Sequence, residues 1–107
     1  MDMINKLSIA QYLLISLQEE CAEVSQRAAK ALRFGIFETQ DSESGKSNQN
    51  NSERLNGEIN DLLAVIYSLR VCGVLPELSD EDYLAQEKKK EKMVKYQEYS
   101  KKQGCLE

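Results

Sequence analysis

The sequence predicts an all-α fold, a bundle of about three helices per chain. Two observations carry that expectation. Apolar residues recur at steps of three and four along three long stretches. A glycine stands just past the end of each one, at Gly35, Gly73 and Gly104, where a helix reaches its left-handed stop. With 107 residues, a single domain over 1–107 is the expectation.

The first predicted helix runs from about Ser8 to Phe34. Ser8 and Gln11 have the spacing of a capping box. The main stripe is Ala10, Leu13, Leu14, Leu17, Cys21, Val24, Ala28 and Leu32, and Ile15, Ala22 and Ala29 add apolar surface on another side. A helix apolar on more than one face touches more than one neighbour. Residues 38–52 contain no large apolar side chain, so this segment is expected to form a flexible loop.

The second predicted helix runs from about Glu53 to Cys72, with Pro76 beyond its glycine stop. Leu55, Ile59, Leu62, Leu63, Ile66 and Leu69 form its stripe, and Ala64, Val65 and Val71 widen it, which predicts a central, largely buried helix. The third runs from about Ser79 to Gln103. Acids at Asp80, Glu81 and Asp82 and lysines at Lys101 and Lys102 match the helix dipole. Its apolar residues are sparse, as expected of a peripheral, lysine-rich helix. Burying a large aliphatic side chain yields about 1.5–3 kcal/mol, while ordering each residue costs about 1.5 kcal/mol. So small an apolar set predicts a bundle completed by oligomerisation, as a homo-dimer or homo-tetramer.

Composition excludes several function classes. Histidine is absent, which removes a His general base, a Ser-His-Asp triad and the His ligands of most catalytic zinc or di-iron sites. There is no GxxxxGK[ST] or GxGxxG phosphate loop. A net charge of −4 argues against a broad surface for a nucleic-acid polymer. No apolar run is long enough to span a membrane, and the N-terminus lacks a secretory pattern. Cys21, Cys72 and Cys105 are odd in number and lack CxxC spacing, so a reducing, cytoplasmic setting is expected, with Cys21 and Cys72 as small core residues.

The chemistry concentrates in carboxylates. Glu19, Glu20 and Glu23 lie on the first helix, and Glu58 and Asp61 on the second. Residues three apart share one side of a helix. Both sets interrupt apolar stripes, where an unpaired negative charge is costly. Clustered carboxylates repel and take up protons unless a cation lies among them, and a hard divalent ion carrying a phosphate substrate meets that need. Arg27, four residues after Glu23, is placed for an ion pair with it. Asn60 is placed to bond a substrate, a ligand carboxylate or another subunit.

An EExxE helix followed, after a loop, by an ExxD helix resembles the all-α nucleoside triphosphate pyrophosphatase superfamily, the MazG-like proteins. Leu17-Gln18-Glu19-Glu20-Cys21-Ala22-Glu23-Val24 resembles the first motif, and the run from Leu55 to Val65 the second. The likeness covers roughly Leu7 to Leu75, plus a lysine- and tyrosine-bearing last helix. It implies Mg²⁺-dependent hydrolysis of an NTP or dNTP to the monophosphate and pyrophosphate, with Mn²⁺ as a substitute. It also implies Glu20, Glu23, Glu58 and Asp61 as metal ligands and Glu19 as the extra acid of the motif, which orients or deprotonates the attacking water or else holds a second metal. Lys92 and Lys95 are candidate phosphate contacts by charge and position, with Tyr96 nearby. The chain departs from the family pattern in its longer segment between the motifs, Val24 to Gly57. It also carries Val65 where some relatives have an aromatic residue. Two other readings compete: phosphoribosyl-ATP pyrophosphatase, and a non-catalytic helical module that uses the acids to bind ions or a basic partner.

Overall fold

A computed structural model describes residues 6–39 and 48–107. Among them the structure is entirely helical: α1 (Ile9–Phe34), α2 (Asn51–Val71) and α3 (Asp80–Lys102). The chain divides into two compact units, the first ending at Pro76 and the second being Glu77–Glu107.

The first unit is a hairpin of α1 and α2. Ser8 opens α1 with the expected box: its Oγ accepts from the Gln11 N–H at 3.1 Å, and its own N–H donates to Gln11 Oε1 at 2.9 Å. Gly35 ends the helix at φ 109°, a conformation that other residues adopt only under strain, and its N–H reaches the Ala31 carbonyl at 3.0 Å.

The start of α2 differs from the sequence expectation. The helix begins at Asn51, not Glu53, and its cap is Asn50, whose Oδ1 accepts from the Glu53 N–H at 2.8 Å. Asn51 was expected in a polar loop, yet it is fully buried at 0% exposure. Its Nδ2 donates to the Gly35 carbonyl at 2.8 Å. Its backbone N–H donates to Glu38 O at 3.0 Å, and the Ser52 N–H donates to Ile36 O at 2.8 Å. An amide side chain that saturates the end of one helix while beginning the next is polar and also obligatorily inside. The remainder of the expected loop, residues 40–47, lies outside the described residues.

Packing within the hairpin is thin. Leu69, at 0% exposure, and Ala31 are the buried apolar residues among those described. Leu13, Leu17, Val24 and Ala28 of α1 and Leu55, Leu62, Val65 and Ile66 of α2 are half-buried, and they form the seam between the helices. The expectation that α2 is central and largely buried does not hold in the single chain: Leu63, Tyr67 and Val71 are exposed. Within this unit α2 has one helical neighbour, so only one side of it is covered. Cys21 and Cys72, expected as core residues, are exposed for the same reason. Gly73, at φ 85°, ends the hairpin, with Arg70 Nη1 donating to the Pro76 carbonyl at 2.6 Å.

The second unit holds α3. The Ser79 N–H donates to Asp82 Oδ2 at 2.9 Å, and the last turn carries Lys101 and Lys102. No residue of this helix is buried, and its Glu87–Lys90 ion pair spans 2.8 Å in the open. Among the described residues, no helix is long and apolar enough to cross a membrane.

Candidate metal centre

The three-residue step that relates Glu20 to Glu23, and Glu58 to Asp61, rotates a side chain by about 60° around the helix. Of each pair, therefore, one acid faces the neighbouring helix and the other faces out beside it. Glu20 and Glu58 are the inward members and are half-buried; Glu23 and Asp61 are the outward members and are exposed. The antiparallel run of the helices brings α1 and α2 together so that one carboxylate oxygen each from Glu20, Glu58 and Asp61 lies within 4.8 Å of the other two.

That spacing suits a shared ion. Oxygens around Mg²⁺ sit about 2.9 Å apart when adjacent and about 4.2 Å apart when opposite, given bonds of about 2.0–2.1 Å. The 4.8 Å limit lies just above that range, and rotation of the three side-chain ends would be needed to close on one ion. Two carboxylate oxygens in addition are orphans: Glu20 Oε2 and Glu58 Oε2 are each buried with no hydrogen-bond partner, as is the amide Oδ1 of Asn51 at the start of α2. A buried carboxylate oxygen without a donor carries the full cost of its lost hydration. The chain places two of them side by side in an apolar seam.

Electrostatics point the same way. The Glu58 carboxyl is held above the ordinary glutamate range. Burial is the largest cause. A hydrogen bond with the Glu23 carboxyl follows, which requires a proton on one of the two, and then the negative charges of Glu23 and Asp61. Arg27 acts in the opposite direction. The expected Arg27–Glu23 ion pair is not formed among the described residues. Instead, Arg27 is half-buried on α1 and its charge is felt by Glu58. A single cation of this kind softens the repulsion among four acids without cancelling it.

The structure thus brings together three of the four acids expected as ligands and sets the fourth, Glu23, against Glu58. Glu19 is exposed on α1, outside the three-oxygen group. Asn60 is exposed on α2. Lys92, Lys95 and Tyr96 are exposed on α3 in the second unit, and the geometry of the acids involves none of them. Sequence reasoning overlooked Asn51, which ties the end of α1 to the start of α2 and so sets how the two acid pairs meet. The signal was present as Asn50-x-x-Glu53, a capping box written with asparagine. Compared with known protein families, curated proteins and solved structures, the chain matches none.

Proposed function

We propose that this chain is a divalent-metal-dependent nucleoside triphosphate pyrophosphohydrolase of the MazG-like kind, working as a homo-dimer or homo-tetramer. One observation carries the reading: oxygens of Glu20, Glu58 and Asp61 lie within 4.8 Å of one another, and buried oxygens of Glu20 and Glu58 lack any partner. Three oxygen donors on two helices, with no histidine or thiolate among them, are a hard set that favours Mg²⁺ or Mn²⁺ over softer metals.

In this reading Glu20, Glu58 and Asp61 would hold the ion, with Glu23, now set against Glu58, as a fourth ligand. Bound there, the ion supplies charge neutralisation for a triphosphate and a lowered pKa for a coordinated water. The residues of the chain do the remaining work. Glu19, exposed one residue before Glu20, orients the attacking water and takes its proton. Attack at the α-phosphorus breaks the bond to the bridging oxygen and releases the monophosphate and pyrophosphate. Arg27 adds positive charge next to Glu58.

The test is incubation of the purified chain with the eight common NTPs and dNTPs, with and without Mg²⁺, measuring pyrophosphate and orthophosphate separately. Pyrophosphate from at least one nucleotide, only with the metal, is the expected result. Metal binding without turnover of any nucleotide would replace the enzyme with a non-catalytic ion-binding module.

A further inference from the structure

The acids of the hairpin share their strips with cations. On α1, Glu20, Glu23, Arg27 and Lys30 follow one another at steps of three and four, so they lie on one side of the helix. On α2, Arg54, Glu58 and Asp61 do the same. Asn51 fastens the start of α2 to the end of α1 through the Gly35 carbonyl. Going away from that neck, both strips meet their cations first and their acids next. Arg27 lies four residues from Glu23, and Arg54 four from Glu58, which is about 6 Å along a helix axis. Arg27, Lys30 and Arg54 are all half-buried. Arg54 is already engaged. Among the described residues, Arg27 and Lys30 form no ion pair, although the charge of Arg27 acts on Glu58. Glu23, one turn away, is bonded to Glu58 instead. The guanidinium donors of Arg27 are therefore not taken up by the acids beside it.

We propose that Arg27 and Lys30 form a clamp for the outer two phosphates of the triphosphate, so that the leaving pyrophosphate points toward the neck of the hairpin and the nucleoside away from it. This rests on the pyrophosphohydrolase reading and adds to it two residues that lie outside both acidic motifs. The chemistry of the strips selects a chain of phosphates as the ligand. An ion held by carboxylates keeps coordination positions for the oxygens of an anion, but the same carboxylates repel the rest of that anion. Positive charge one turn further along the strip offsets the repulsion. A single carboxylate ligand would end at the ion, whereas a phosphate chain continues past it with negative charge on each unit. Arginine presents a planar fork of N–H donors that fits phosphate oxygens two at a time, and lysine adds a mobile point charge. Half-burial makes each contact stronger than it would be in open water. When water attacks the α-phosphorus and its proton passes to Glu19, the bridging oxygen departs with the electron pair of the broken bond. In the proposed orientation Arg27 and Lys30 lie where that charge collects.

The test is equilibrium dialysis of the intact chain against inorganic tripolyphosphate, with and without Mg²⁺, in the wild type and in Arg27→Gln, with helix content compared by circular dichroism. The wild type is expected to bind, and more tightly with Mg²⁺. Arg27→Gln should bind about ten-fold more weakly or worse, the loss of a charge-assisted contact. Its affinity for Mn²⁺ alone, followed by electron paramagnetic resonance, should not fall. A fall in both affinities would make Arg27 a support of the acids and overturn the clamp. Should Arg27→Gln fail to fold, Arg27→Lys takes its place, about three-fold weaker or more because an ammonium lacks the fork; unchanged binding there overturns the clamp. Equal tripolyphosphate binding by the wild type and Arg27→Gln, or none by either, also overturns it, while retained Mn²⁺ binding keeps the metal centre. If Mg²⁺ makes no difference and Arg27→Gln still binds more weakly, the clamp stands and the metal-dependent reading falls.

Discussion

The hairpin and the second unit use the same kinds of charged side chain in opposite ways. On α3, Lys90 Nζ donates to Glu87 Oε1 at 2.8 Å, with both side chains open to solvent. Each partner is hydrated, and such a pair contributes a few tenths of a kcal/mol. On α1 and α2, Glu20 and Glu58 place oxygens in an apolar seam with no partner at all. A solvated acid next to a lysine is ordinary surface. Two half-buried acids beside a third, with one arginine softening them, carry a desolvation cost that a bound cation would offset. The contrast separates the eighteen acids of the chain into those that need an explanation and those that do not.

The sharpest way to break the contrast is a pair of isosteric substitutions. Under the proposed function, Glu58→Gln would remove a ligand charge and should lower metal-dependent pyrophosphate release by about a hundred-fold or more, a loss of roughly 3 kcal/mol in transition-state stabilisation. Glu87→Gln should leave the rate unchanged, with helix content by circular dichroism equal in both proteins. Equal losses, or none in either, would remove the distinction between the two sets of acids.

A comparable difference is expected in the apolar residues. Leu69 is the most deeply buried leucine of the hairpin, whereas Leu84 on α3 is 62% exposed. Leu69→Ala should cost about 2–5 kcal/mol in urea unfolding, and Leu84→Ala no more than about 0.5 kcal/mol. A large loss at Leu84 would show that α3 is held by packing that its exposure conceals.

The smallest effect is a pH dependence, and its sign follows from Glu58. A carboxyl whose folded pKa is raised binds its proton more tightly in the folded state than in the unfolded one. Its stabilising contribution is then complete below the unfolded pKa and is lost as pH rises through the folded pKa. Without metal, the chain should therefore be slightly more stable at mildly acidic pH than at neutral pH. Added Mg²⁺ should flatten that slope, because the ion takes the place of the proton. Melting curves across pH, with and without the metal and with Glu58→Gln as a control, measure it. A metal-free slope that persists unchanged in Glu58→Gln would place its origin elsewhere.

Much of the fold was legible in local chemistry. The Ser8–Gln11 box and the stops at Gly35, Gly73 and Gly104 depend on one or two residues each, and the structure places them as expected. The start of α2 was misread because Asn50 and Asn51 sit in a polar tract. Polarity suggested solvent, but the amide of Asn51 is inside because a helix end needed it. At the candidate site, spacing put the acids on two helix faces, but it could not tell which member of each pair pointed inward. That depends on how the neighbouring helix is rotated, so Glu20 and Glu58 emerged as the inner pair and Glu23 as an outer residue only with both helices in place. Cys21 and Cys72 were misassigned to the core because periodicity reports that a face is apolar and not what covers it.

The amide of Asn51 has a consequence for how this chain can change over time. Glu38 O and Asn51 N meet at 3.0 Å, and Gly35 O and Asn51 Nδ2 at 2.8 Å, so the end of α1 and the start of α2 are held together at one narrow neck. Whatever sequence is strung between those two points, long or short, is inserted at a closed collar, and each doubling of its length adds only about 0.6 kcal/mol of closure entropy. Residues added or removed there should leave the alignment of the two carboxylate-bearing rods where the collar sets it.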